Sequence, residues 1–268
     1  MGLRHRGDSI VDAPPKGCPL TPAPAPLTLR LRDVARAEVT KITTHPATLV
    51  GIAMAFTANL AFAVIAATEV IRFGLGAEPA PLDAFPSVMF APIYGFLIMA
   101  AYAAGSEYPS GQHRVTLTAT PRRGRLVAAK WSAMAVVTIP TALLVVVPAR
   151  LILSLHARLD PAYAVLDLGR WLLVYFLMSA IAFGLAGLTR NTTTSLTVLI
   201  LIPILVATGV FQWPQGIKYL PDQAAMSLLG TPAYDVTELP PGPAALVLTG
   251  WAVVAIVAYT TALIRRDT

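Results

Sequence analysis

The chain is 268 residues long, 56% hydrophobic and only 13% charged, with a mean hydropathy of +0.66, a balance that excludes a water-soluble globular protein and fits a polytopic membrane protein. Its net charge of +6 does not point to nucleic acid, because the lysines and arginines lie in connectors between apolar runs. A single cysteine, Cys18, excludes an internal disulfide and a multi-cysteine metal site.

In chain order, residues 1–26 carry Arg4, Arg6, Asp8, Asp12 and Lys16 among six prolines and are read as a disordered cytoplasmic tail, too polar and proline-rich to bury a core. The tail lacks the apolar stretch of a secretory signal, so insertion through the chain's own spans is expected. Over 27–45, Leu27, Leu31, Val34, Ala35 and Ile42 recur at spacings of three, four and seven, with Arg30, Asp33, Arg36 and Lys41 on the other side. The pattern predicts an amphipathic interfacial helix on the membrane surface, the alternative being a cytosolic extension of the first span. Glu38 and Lys41 share a face three residues apart, and an exposed pair of this kind contributes about 0.2–0.5 kcal/mol.

A bilayer crossing needs about 20 apolar residues whose backbone groups bond within the segment. Six stretches qualify: Pro46 to Thr68, Ala84 to Ala104, Leu126 to Ala149, Trp171 to Thr189, Thr194 to Trp213 and Ala244 to Ile264. The expected fold class is therefore all-α, a six-span membrane domain over 46–268 with both termini cytoplasmic. That orientation puts 15 lysines and arginines inside and 5 outside, in keeping with the basic bias of cytoplasmic loops. The outer connectors at 69–83 and 150–170 read as short, mixed-charge links. The third, at 214–243, is too apolar for a solvated loop: Tyr219, Pro221, Met226, Leu228 and Leu229 predict a re-entrant segment with a short helix at about Asp222 to Leu229, acting as an outer gate.

No catalytic pattern is present. The four lysines lack the glycine-rich context of a phosphate-binding loop, the four histidines are scattered, and no Gly-x-Ser-x-Gly elbow occurs. The centres of the six stretches carry no Asp, Glu, Lys or Arg, unlike ion-coupled carriers, while Glu69, Arg150 and Arg170 stand at outer edges where their stems can snorkel. The energy source is expected outside this chain.

The informative connector is 105–130. It holds Glu107 and five basic residues, Arg114, Arg122, Arg123, Arg125 and Lys130. Thr120 and Pro121 form a helix start, and three arginines in the following turn oppose the helix dipole. They read either as ligands for headgroup phosphates or an acidic partner, or as ordinary positive-inside anchors. Glu107 is near enough in sequence to Arg114 for the chain to fold back and pair them.

Glu107-Tyr108, Gly111, Arg114, Leu117 and Thr120-Pro121-Arg122-Arg123-Gly124-Arg125-Leu126 with Ala129-Lys130 resemble the first cytoplasmic loop of bacterial ATP-binding-cassette (ABC) exporter permeases of the type-2 class. Glu38 and Lys41, Gly184 to Leu188 with Arg190-Asn191, Tyr219-Leu220-Pro221 and Arg265-Arg266-Asp267 are similar to the same family, so the resemblance covers about 28–268. Pro109, Gln112 and His113 depart from its pattern. The resemblance implies a non-catalytic permease subunit in the bacterial cytoplasmic membrane. It would dimerise with a second copy or homologue and dock two ABC ATP-binding subunits, with ATP and Mg held by those partners and no cofactor by this chain. It also implies a connecting helix containing Arg36, Glu38 and Lys41, and a coupling helix at about 107–120 that includes Gln112 and His113. The cargo is expected to be amphipathic or hydrophobic. The alternative is a non-transporting membrane anchor or sensor of such an ATPase.

Overall fold

A computed structural model describes residues 30–73, 79–108, 123–210, 213–230 and 239–265. The protein is predominantly helical. Helix α1, Leu31–Thr44, starts with a reciprocal cap in which the Arg30 amide donates to Asp33 Oδ2 at 3.3 Å. It stops at His45 because the residue before a proline is steered out of the helical region: His45 lies at φ −71°, ψ 126°. Pro46 then opens α2, Pro46–Thr68, and His45 Nδ1 accepts from the Ala47 amide at 3.2 Å. A two-stranded antiparallel ribbon, β1 (Arg72–Phe73) with β2 (Ala80–Pro81), follows and leads into a short 3-10 turn, Leu82–Ala84.

The next apolar stretch is two helices in one line, α3 (Pro86–Phe90) and α4 (Pro92–Gly105), with Pro92 removing a donor at the junction. Helix α5 runs Arg123–His156 and α6 runs Pro161–Thr189. The connector expected at 150–170 is thus mostly helix. Asp160 caps α6, accepting from the Ala162 and Tyr163 amides at 3.0 and 3.4 Å, and Pro161 takes the first helical position. After a turn at Arg190, Asn191 caps α7, Thr192–Ala207. This helix is shorter than the stretch to Trp213 predicts, because Gly209 adopts φ +70° and ends it. Helices α8 (Pro214–Ile217), α9 (Pro221–Leu229) and α10 (Pro241–Arg265) complete the described chain.

Among the described residues, five apolar helical segments are long enough to cross a membrane: α2, α3 with α4, α5, α6 and α10; α7, at 16 residues, is shorter. Burial sorts them. In α3–α4 and α6, 61% and 67% of the apolar stretch is buried, against 22% in both α2 and α10, so α4 and α6 form the centre and the others surround it. Polar groups within this core are met by helix neighbours. Asn59 Nδ2 donates to Tyr175 Oη at 2.7 Å, joining α2 to α6, and Ser195 Oγ donates to the Ala182 carbonyl at 3.2 Å, joining α7 to α6.

Arg150 does not simply snorkel. Its Nε donates to Asp167 Oδ2 at 2.8 Å and its guanidinium lies 5.0 Å from the centre of the Trp171 ring, which locks α5 to α6 where the two helices leave the core. Twenty residues separate Lys130 from Arg150 in α5, a rise of about 30 Å that matches the hydrocarbon thickness of a bilayer. Helices α6 and α10 meet across Gly184 and Gly187: a Cβ on Gly187 would lie 2.3 Å from the Tyr259 ring, and one on Gly184 would lie 2.7 Å from the Ala255 carbonyl.

Tyr259 is buried and has no room to retreat. Gly187→Leu should therefore destabilise the detergent-solubilised protein by about 1–3 kcal/mol in a thermal or denaturant melt. Gly250, whose Cβ would meet nothing within 4 Å, provides the contrast: Gly250→Ala should be neutral or stabilising by up to about 1 kcal/mol. Equal effects at the two sites would contradict close α6–α10 packing.

Candidate functional site

Four charges from three parts of the chain converge at one end of the bundle. Glu38 and Lys41 come from α1, Glu107 from the turn after α4, and Lys130 from the second turn of α5. Lys130 Nζ lies 2.9 Å from Glu107 Oε2 and 3.1 Å from Glu38 Oε1. Lys41 Nζ lies 2.5 Å from Glu107 Oε1 and also bonds Glu38 Oε2. Each ammonium touches both carboxylates, and the charges alternate around a closed ring. Lys130, Glu107 and Glu38 are 1%, 2% and 6% exposed, so this is an interior cluster and not a solvated pair. The few tenths of a kcal/mol expected for an exposed Glu38–Lys41 pair do not apply.

Local sequence explains the placement. Glu38, Lys41 and Ile42 share the face of α1 that turns inward. Lys130 stands on the buried stripe of α5 with Leu126, Ala133 and Val137, one face at helical spacing. An ammonium on that stripe is tolerable only if carboxylates meet it there. The four charges sum to zero, but removing any one leaves an uncompensated interior charge.

The same end of the bundle holds the two roots of the 109–122 segment. Next to Glu107, the Tyr108 ring lies 5.7 Å from the Arg190 guanidinium carbon, in the turn between α6 and α7. Gly105, just before, permits close approach of α7: a Cβ there would sit 2.4 Å from Thr192 Oγ1. At the other root, Arg123 Nη1 donates to the Ile264 carbonyl at 3.0 Å and to the Leu263 carbonyl at 3.4 Å. An arginine in the first turn of α5 opposes its own helix dipole but here caps the last turn of α10, where a cation is favourable. Arg123 thus meets a helix terminus of the same chain.

Of the residues singled out by sequence, Glu38, Lys41, Glu107, Tyr108 and Arg123 are brought together, whereas Arg36 and Arg125 are exposed. Gly111, Gln112, His113, Arg114, Leu117, Pro121 and Arg122 lie outside the described residues, as does the Thr120-Pro121 helix start. Lys130 is the member that sequence reasoning placed in the connector without giving it a role. The available signal was its position on the apolar stripe of α5.

At the opposite end, α9 lies against α10, α6 and α3. Met226, Leu228 and Leu229 are 3%, 5% and 6% exposed, while Tyr219 stays half exposed. Pro221 occupies the first helical position, and the Tyr219 carbonyl accepts from Trp251 Nε1 at 2.7 Å, tying the entry of α9 to α10. Asp222 is buried with them; its Oδ2 accepts from Gln223 Nε2 at 2.9 Å. Burial pushes the Asp222 carboxyl above the ordinary aspartate range, against the opposing pull of the Gln223 bond and nearby backbone amides.

Two measurements follow from this geometry. Lys130→Met should cost about 3–5 kcal/mol of stability, because two buried carboxylates lose a counter-ion. The double variant Glu107→Gln/Lys130→Met leaves a neutral Glu38–Lys41 pair, so it should be less destabilising than the sum of its parts by roughly 1–3 kcal/mol in a double-mutant cycle; strict additivity would mean that the two groups are not coupled. Asp222 has the opposite linkage sign from a salt-bridged acid. Its folded value lies above the unfolded one, so stability is highest below the unfolded value and falls as pH rises through the raised one. Asp222→Asn should flatten that slope and stabilise the protein at neutral pH in thermal melts taken across pH, whereas an unchanged slope would assign it to another group.

No protein-family model matches the chain, and no curated protein matches it, so the functional reading rests on the charge cluster and the helix ends around it.

Proposed function

We propose that the chain is the membrane permease subunit of an ABC exporter of the bacterial type-2 class, moving an amphipathic or hydrophobic compound across the cytoplasmic membrane with ATP hydrolysed by separate subunits. In this reading α1 belongs to the interfacial connecting helix, the coupling helix expected at about 107–120 is the docking element for the ATPase, and α9 is a re-entrant outer gate. The chain crosses six times, with α7 as the fifth crossing and both ends cytoplasmic. It pairs with a second permease copy or homologue.

The observation that carries the proposal is the anchoring of the 109–122 roots. Glu107 is held by Lys41 and Lys130, Tyr108 lies against Arg190, and Arg123 grips the end of α10. A force applied at these roots by a docked subunit would reach α1, α5 and α10 through ionic and hydrogen-bonded contacts. A simple membrane anchor has no need of such attachment. The basic residues of the 105–130 connector, Arg114, Arg122, Arg123, Arg125 and Lys130, support a cytoplasmic position for this end of the bundle.

Four outcomes are expected. A cysteine at Gln112 should label only from the cytoplasm and one at Asp235 only from outside; reversed labelling at either would overturn the six-span topology. An ATP-binding-cassette reading frame is expected beside this gene, and its product should co-purify with the chain on co-expression. Arg114→Glu should weaken assembly or reduce permease-dependent ATP hydrolysis by about fivefold or more, with membrane insertion unchanged; normal assembly and normal hydrolysis would defeat the docking role. Replacing Leu228 and Leu229 together by Ser should raise leak or basal hydrolysis at unchanged expression, and unaltered gating would remove α9 as the gate.

A further inference from the structure

Asp222 is buried without an ionic partner. Its side chain is 2% exposed, Oδ2 is met by Gln223, and Oδ1 has no hydrogen-bond partner. No cation among the described residues forms an ion pair with it. The described part of α10 carries only Arg265, at its far end, and α3 carries no charge. Helix α6 carries Asp167, which is held by Arg150, and Arg170; its Tyr175 is engaged by Asn59. Lys218, four residues before Asp222, has its Nζ 5.2 Å from the centre of the Tyr219 ring. Gln223, its neighbour, is neutral.

Trp251, which binds the Tyr219 carbonyl, is ten residues into α10 from Pro241, a rise of about 15 Å along that helix. An ionisable group buried without a counter-charge is costly. After Asp222, the run Ala224, Ala225, Met226, Leu228 and Leu229 is buried against the neighbouring helices, apolar surface that a movement of α9 would uncover.

We propose that Asp222 is the binding point for the cationic group, a protonated amine, of an amphiphile whose apolar body lies along α9. With α9 seated, burial favours the neutral acid over the carboxylate. When α9 moves aside, the carboxyl loses its proton to the outer medium and the resulting carboxylate pairs with the amine, so that one proton leaves for each cation bound. The positive end of the α9 dipole favours the ionised form once it is reached. Export as the purpose of this binding rests on the preceding section, but the site itself needs no ATPase.

The test uses the full chain in nanodiscs of phosphatidylcholine, with ethidium as a lipophilic cation and 1-anilinonaphthalene-8-sulfonate as an anionic control, both followed by fluorescence. The wild type should bind ethidium, more tightly at pH 8 than at pH 5. Asp222→Asn should weaken that binding by about tenfold or more and remove its pH dependence, Asp222→Glu should keep both, and the anionic probe should change by less than about twofold. Equal ethidium affinity in wild type and Asp222→Asn would overturn the proposal. So would absence of ethidium binding, or absence of tightening between pH 5 and pH 8 in the wild type, a measurement that does not depend on any variant folding. Failure here leaves ATPase assembly unaffected, and failure of assembly leaves this binding measurement unaffected.

Discussion

An ammonium group cannot stand alone on the apolar stripe of a membrane helix, and Lys130 stands there at 1% exposure. Its two carboxylate partners come from positions 92 and 23 residues earlier in the chain, Glu38 and Glu107. Satisfying one side chain thus fixes where α1 lies, where α4 ends and how α5 begins. Lys41 completes the ring by neutralising the second carboxylate, which is why the cluster tolerates burial at all. Such a ring offers little net stability compared with an apolar replacement, but it permits one arrangement of the three elements and penalises the others.

The rest of the bundle is organised between this layer and a second polar layer, Arg150 with Asp167 and Trp171. Between them α4 and α6 pack centrally on small residues, with polar side chains bonded to neighbouring helices. Lipid tails are as apolar as leucine, so close packing and helix-to-helix hydrogen bonds, not hydrophobic burial, hold such helices together. The exposed apolar faces of α2 and α10, with Leu49, Val50 and Met54 on one and Val253, Val254 and Val257 on the other, are consistent with that solvent.

Helix α10 touches both ends of functional interest. Its last turn is capped by Arg123, at the root of the basic segment, and its Trp251 holds the entry of α9. A displacement at one end therefore has a continuous, stiff element through which to act on the other. In the exporter reading this provides a physical link between a cytoplasmic ATPase and an outer gate.

Hydropathy and proline placement were enough to locate much of this from sequence. The bounds of α2 follow from His45-Pro46 and from the charge-free run up to Glu69, and the apolar cluster after Pro221 announces α9. These are local signals, set by backbone sterics and by the cost of leaving apolar side chains in water. The Glu38–Lys41 spacing was equally legible, but its partners were not. A ring closed across 23, 66 and 92 residues leaves no mark in any window of sequence. The same holds for Arg123 capping α10 and for Arg150 meeting Asp167, where α5 and α6 extend into the connector expected at 150–170. Whether a charge is solvated, paired or buried depends on what the folded chain places opposite it, so only the tertiary structure could distinguish the interior Lys130 and Asp222 from the exposed Arg125.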